Sequence, residues 1–166
     1  VHPSELDDAW TKNISEPDLS KAKILYVGRI KIEKGIFSLL DIFEKIKKDS
    51  QLSIVGKAKD EEKIKNKKVN FVGYGYNAEE LIKIYDKHNI SILPSFTEAH
   101  PKVLDESLAR LRPIIIFEDI KYEINKKYGI FVSKRDSLSL TSTIDYIMKN
   151  YEHIQKEMRK NMLPTK

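Results

Sequence analysis

The sequence predicts a doubly wound parallel α/β sheet of about six strands with helices on both faces, a Rossmann-like architecture. Three observations carry that prediction. Short β-branched and apolar runs recur about six times, segments with apolar residues at helical spacing lie between them, and the connections are short. A strand that must return parallel to its neighbour needs a helical crossover laid on the sheet, so this alternation favours a parallel sheet.

The elements follow in order. "KAKILYVG" (residues 21–28) is a buried strand ending in Gly. "IFSLLDIFEKIKK" places Ile36, Phe37, Leu39, Leu40, Phe43 and Ile46 on one helical stripe. "LSIVG" (52–56) is the second strand and "KDEEKIKN" a short polar helix. "KVNFVGYG" (68–75) is the third strand, followed by "AEELIKIYDKH" with Leu81, Ile82, Ile84 and Tyr85 turned inward. "ISILP" is a fourth strand stopped by Pro94, and residues 101–111 form a helix with Pro101 in its first turn. "PIIIF" is the fifth strand, "EDIKYEINKKY" a short helix or turn, and "GIFVS" the sixth strand. Helices over 136–149 and 151–163 close the chain. Residues 1–20, polar and carrying Pro3 and Pro17, read as a linker or edge segment ahead of a domain spanning 21–166.

Composition narrows the classes. The 166 residues suffice for one domain with a substantial core, and 40% hydrophobic content argues against a disordered chain. The absence of cysteine excludes disulfides and thiolate metal sites. His2, His88, His100 and His153 are scattered, so no metal site is expected. A net charge of +5 is spread among Lys and Glu without a like-charge block, which fits either a solvated surface or an anionic partner such as a nucleotide, a phospholipid surface or nucleic acid. No apolar run approaches the ~20 residues of a membrane span, and the N-terminus does not resemble a signal peptide. A start at Val1, with the first clear strand about twenty residues on, fits a piece of a longer chain.

In a doubly wound sheet, ligands sit beyond the carboxyl ends of the strands, where strand order reverses. Two loops belong there. "VGRIKIEKGIF" (27–37) has Gly28 for a sharp strand exit, the cations Arg29 and Lys34, and Gly35 at a helix start. This chemistry suits a diphosphate, although its glycine spacing matches neither a Walker loop nor a dinucleotide fingerprint. "SFTEAHPKVLDE" follows the fourth strand and places Glu98 and Glu106 eight positions apart, about 12 Å along a helix. The amides from Ala99 to Val103 point toward the same edge, where an anion would meet donors and a favourable dipole end. The two carboxylates could then straddle an extended diphosphate with a sugar at either end. The bland alternatives are surface charges: on a helical wheel Glu106 falls opposite the stripe of Val103, Leu104, Ser107, Leu108 and Leu111.

Together these loops resemble one family, the group 1 retaining glycosyltransferases of GT-B fold, in their C-terminal nucleotide-sugar-binding domain. "ILYVGRIKIEKG" matches the family's strand ending in G-R followed by E-K-G, at Gly28, Arg29, Glu33, Lys34 and Gly35. "LSIVG" matches a strand ending in V-G, and "VNFVGYGYNAEELIKIY" an F-x-G strand end before a helix with Leu and Tyr. "PSFTEAHPKVLDESLARLRPIII" matches P-S-x-x-E-G-F-P-x-V, E-A and P-x-x-x at Pro94, Ser95, Glu98, Pro101, Val103, Glu106 and Pro113. The opening "VHPSELDDAW" is similar to the interdomain segment. Departures are Ala99-His100 for Gly-Phe, "RLRP" for the usual Gly before the strand-five Pro, "SLA" for Ala-Met-Ala, and "EDIKYE" for Gly-Gly-x-x-E, with Glu123 standing for the Glu.

The resemblance implies a catalytic set of Arg29, Lys34 and Glu98, the cations neutralising the departing diphosphate and Glu98 touching the transferred sugar. It implies donor binding by Gly28, by Glu106 on the ribose, by the Gly73–Tyr74 strand end near the base, and by the segment Ala99, His100, Lys102, Val103 and Leu104 around phosphate. It implies metal-independent transfer with retention and no cofactor, from a nucleotide-diphosphate sugar to a glycan or lipid-linked acceptor. An N-terminal domain absent from this chain would hold that acceptor, so this chain alone would transfer nothing. A cytoplasmic setting, peripheral membrane association of the full-length enzyme and bacterial surface-polysaccharide or lipopolysaccharide synthesis complete the expectation. Competing readings are a catalytically degenerate nucleotide-binding module of the same fold, a flavodoxin-like module, and a nucleic-acid binder. The last lacks a basic face with interleaved aromatics.

Overall fold

The computed structural model describes residues 6–46, 49–57, 69–98, 101–121 and 127–163. Six strands form one fully parallel sheet: β1 (Ala22–Val27), β2 (Ser50–Val55), β3 (Asn70–Gly73), β4 (Ile90–Leu93), β5 (Ile114–Phe117) and β6 (Ile130–Ser133). Their order is β3-β2-β1-β4-β5-β6, so the sheet reverses direction between β1 and β4. The described helices are α1 (Ile36–Glu44), α2 (Ala78–Asp86), α3 (Lys102–Ala109), α4 (Ser137–Lys149) and α5 (Tyr151–Met158). The short polar helix expected over 59–66 and the middle of the segment after β5, Glu123 included, lie outside the described residues.

Alternation along β1 sends side chains to two cores. Ile24 and Tyr26 join α1, α4 and α5 on one face, while Leu25 joins Val55, Tyr85 of α2 and Ala109 of α3 on the other. The central strands β4 and β5 are buried throughout, as continuous apolar runs in a parallel sheet require. α2 begins with a capping box: the Asn77 side chain accepts from the Glu80 amide and Glu80 accepts from the Asn77 amide.

The stretch expected to be a linker or edge segment is docked on the domain from Leu6 onward. A 3₁₀ turn at Asp8–Thr11 buries Trp10, whose ring meets Tyr85 edge-on at 5.6 Å between centroids. Two buried arginines hold the stretch that follows. Arg110 donates to the carbonyls of Trp10, Lys12 and Asn13 and pairs with Asp86 at 2.7 Å. Arg112 donates to the carbonyls of Ser15, Asp86 and His88. The "RLRP" departure noted in the sequence is therefore a clamp on the chain's first described residues.

Candidate functional site

The loop after β1 is built from inside the strand. Tyr26 is buried, and its hydroxyl donates to the Arg29 carbonyl at 2.6 Å, folding the exit back on the sheet. Burial and the charge of Glu98 push the Tyr26 hydroxyl well above the ordinary tyrosine range, so it stays a donor. A 3₁₀ turn at Ile32–Lys34 then ends at Gly35, which has φ 71° and starts α1. A Cβ at Gly35 would lie 1.9 Å from the Pro94 carbonyl oxygen, so the β1 and β4 loops touch backbone to backbone here.

That contact brings the two sequence-identified loops together. Lys34 Nζ bonds Glu98 Oε1 at 2.9 Å, across 64 positions of chain. Ser95 Oγ donates to the same carboxylate oxygen at 2.8 Å, and the Phe96 amide reaches the Glu33 carbonyl at 3.3 Å. The pair borders a cleft of about 360 Å³ at the β1/β4 reversal, lined in part by Gly28, Arg29, Lys34, Glu98, Lys102 and Val103. That volume lies within the range of small-molecule sites. Arg29, Lys34 and Lys102 against Glu98 make the wall predominantly cationic.

Pro101 caps α3 without a side-chain bond, and no acceptor takes the amides of Lys102 and Val103 among the described residues. The Leu104 side chain is in the core, as its place on the apolar stripe predicts, and its amide donates to the Pro101 carbonyl at 3.1 Å. Ala99 and His100 lie outside the described residues. Gly73 and Tyr74 stand at the same carboxyl edge, two strands away and outside the lining of the cleft. There the Gly56 amide donates to the Gly73 carbonyl, and Tyr74 is half-exposed with Lys57 Nζ 5.8 Å from its ring centre.

Glu106 corrects the helical wheel. It is 5% exposed instead of facing water, because α3 is covered on its second side by the Asp8–Thr11 turn as well as by β4 and β5. Burial pushes its carboxyl up to about 7, against the opposing pull of Lys102, with Asp105 adding to the rise. No hydrogen-bond donor meets the Glu106 carboxylate among the described residues. The hydroxyl of the fully buried Tyr85 is also without a partner there, and the charge of Glu106 helps push that hydroxyl upward. Neighbouring Asp105, also buried, is satisfied by Lys127 at 3.1 Å.

Two contributors escaped sequence reasoning: Tyr26 read only as a strand residue and Ser95 only as part of a motif.

In a doubly wound parallel sheet the strand reversal is where ligands bind, and here a cationic cleft lies at that point. The profile described as "Glycosyl transferases group 1" matches residues 9–163, and the chain belongs to this family. An uncharacterized glycosyltransferase of Methanocaldococcus jannaschii is 27% identical, over 84% of this chain and 40% of its own length. Among solved structures, sucrose-phosphate synthase from Thermosynechococcus elongatus matches with TM-score 0.67 at 22% identity, over 86% of this chain and 40% of that one. Anabaena HepE, in complex with UDP-glucose, matches with TM-score 0.69 at 14% identity, over 84% of this chain and 43% of that one. At these identities the solved structures establish the fold. The chain thus spans well under half the length of these relatives. No helix among the described residues is long and apolar enough to cross a membrane.

Proposed function

We propose that this chain is the C-terminal, donor-binding half of a retaining glycosyltransferase, holding a nucleotide-diphosphate sugar in the β1/β4 cleft. The observation that carries the reading is the Lys34–Glu98 pair, which sets a cation and a carboxylate side by side where strand order reverses. Arg29 and Lys34 face the diphosphate, the α3 amides of Lys102 and Val103 add donors, and Glu98 accepts from hydroxyls of the transferred sugar. Glu106 takes the ribose, whose hydroxyls supply donors to a carboxylate that meets none among the described residues. The Gly73–Tyr74 strand end flanks the base. HepE's UDP-glucose complex on the same fold supports a nucleotide sugar as ligand.

In the reaction, the bond from the sugar's anomeric carbon to the diphosphate oxygen breaks and a bond to an acceptor hydroxyl oxygen forms on the same face. The acceptor's proton passes to the departing phosphate. The chain's part is electrostatic: fixed cations stabilise the charge that grows on the leaving diphosphate, without a cofactor or a metal ion. A second domain presents the acceptor, a glycan or lipid-linked glycan of the kind met in bacterial surface-polysaccharide or lipopolysaccharide assembly at the cytoplasmic membrane face. Alone, this half binds and does not transfer.

Calorimetry against UDP, GDP, ADP and their hexose conjugates tests the reading. One nucleotide series should bind in the micromolar to millimolar range, and Lys34→Ala should weaken its diphosphate at least tenfold. Absence of binding to every ligand at millimolar concentration would sink the proposal.

A further inference from the structure

Arg135 lies at the carboxyl end of β6, 97 positions from α1 and 40 from the β4 loop, yet it joins both. Its guanidinium is sandwiched between two rings, 4.0 Å from the centre of Phe96 and 4.5 Å from that of Phe117. Nη2 and Nε both donate to Asp119 Oδ1, at 2.7 and 3.2 Å. Longer bonds of 3.4 Å run from Nη2 to the Ser95 carbonyl and from Nη1 to Ser38 Oγ on α1. Nη1 also lies 3.2 Å from where a Gly35 Cβ would stand, directly behind the Lys34 loop. A planar cation with two stacking faces and a donor fork can make all of these contacts together; an ammonium cannot.

Arg135 pairs with Asp119 and does not line the cleft, so it is not placed to touch phosphate. What it does is fix the residues on either side of the Ser95–Phe96 peptide. Ser95 in turn orients Glu98 through its hydroxyl, at 2.8 Å. We infer that Arg135 is a positioning residue for the sugar end of the cleft, setting the Ser95–Glu98 loop through its Phe96–Phe117 sandwich. The inference rests on the donor-site reading above.

The test compares paired ligands on the whole chain: UDP with UDP-glucose, GDP with GDP-mannose, and ADP with ADP-glucose, using whichever pair binds. In Arg135→Ala the ratio of dissociation constants, sugar conjugate over free diphosphate, should rise about tenfold, while the diphosphate constant stays within twofold. Arg135→Lys should behave like the alanine variant, because charge is not what the site uses. Phe96→Leu removes only one stacking face and should raise the same ratio severalfold. It decides the matter if Arg135→Ala fails to fold. A ratio unchanged in the folded variants overturns the inference and leaves the donor site standing, as does an equal loss for both ligands with a lowered melting temperature. No binding of any pair by the wild-type chain removes both.

Discussion

Glu106 poses the sharpest question at the scale of a single residue. A carboxylate that is buried, has no described donor and lies near the unpartnered hydroxyl of Tyr85 is costly to ionise. Its carboxyl is raised from 4.5 to about 7, so the folded state holds a proton that the unfolded state releases between those values. Stability from this group is complete below about pH 4.5 and falls as pH rises toward about 7. Glu106→Gln should therefore gain on wild type over that window, by about 3 kcal/mol at pH 8 relative to pH 4. Urea titrations at the two pH values measure it, and a constant difference would refute the shifted carboxyl. Under the donor-site proposal the same variant should bind the nucleotide more weakly, since an amide would replace the charged acceptor proposed for the ribose. Gain in stability with loss of affinity is the pattern of a residue kept for binding.

Among the elements, the 3₁₀ turn at Ile32–Lys34 decides where Lys34 points. The sequence showed a glycine at a helix start. It did not show that Gly35 is left-handed and pressed on the Pro94 carbonyl, because both facts depend on β4 lying beside β1. Gly35→Ala meets a strained φ and a backbone clash together, for a loss of at least about 2 kcal/mol. Its urea midpoint should fall, and Lys34 should leave Glu98, weakening diphosphate binding as well; a midpoint equal to wild type would count against this packing. The helix α3 shows the complementary limit of pattern reading. Leu104, Ser107 and Leu108 on its apolar stripe are buried as the wheel predicts, but Asp105 and Glu106 are buried too. A wheel describes one helix against one neighbour, whereas α3 is held between the sheet and the N-terminal turn.

For the molecule as a whole, Arg110 and Arg112 bind the chain's first described segment to its centre. Arg110 is 1% exposed and answers Asp86 together with three backbone carbonyls from residues 10–13. Removing it strands a carboxylate and several carbonyls, a loss of about 3–5 kcal/mol. That is a large share of a typical domain's 5–15 kcal/mol. Arg110→Ala should unfold at markedly lower urea and expose residues 11–16 to protease first. Cleavage there at the wild-type rate would show that the clamp does not hold the segment.

The alternation of apolar runs and helical stripes determined the parallel doubly wound class from sequence alone, since period and connection length are local properties. The loops at Arg29–Gly35 and Ser95–Lys102 were likewise legible, because each follows directly after a strand. Only the tertiary structure decided the strand order, the burial of Glu106, the docking of Leu6 to Ser15 and the Arg135 sandwich. Each depends on residues tens of positions apart being brought into contact by the sheet. No local pattern in a sequence records which distant surface will cover a given side chain.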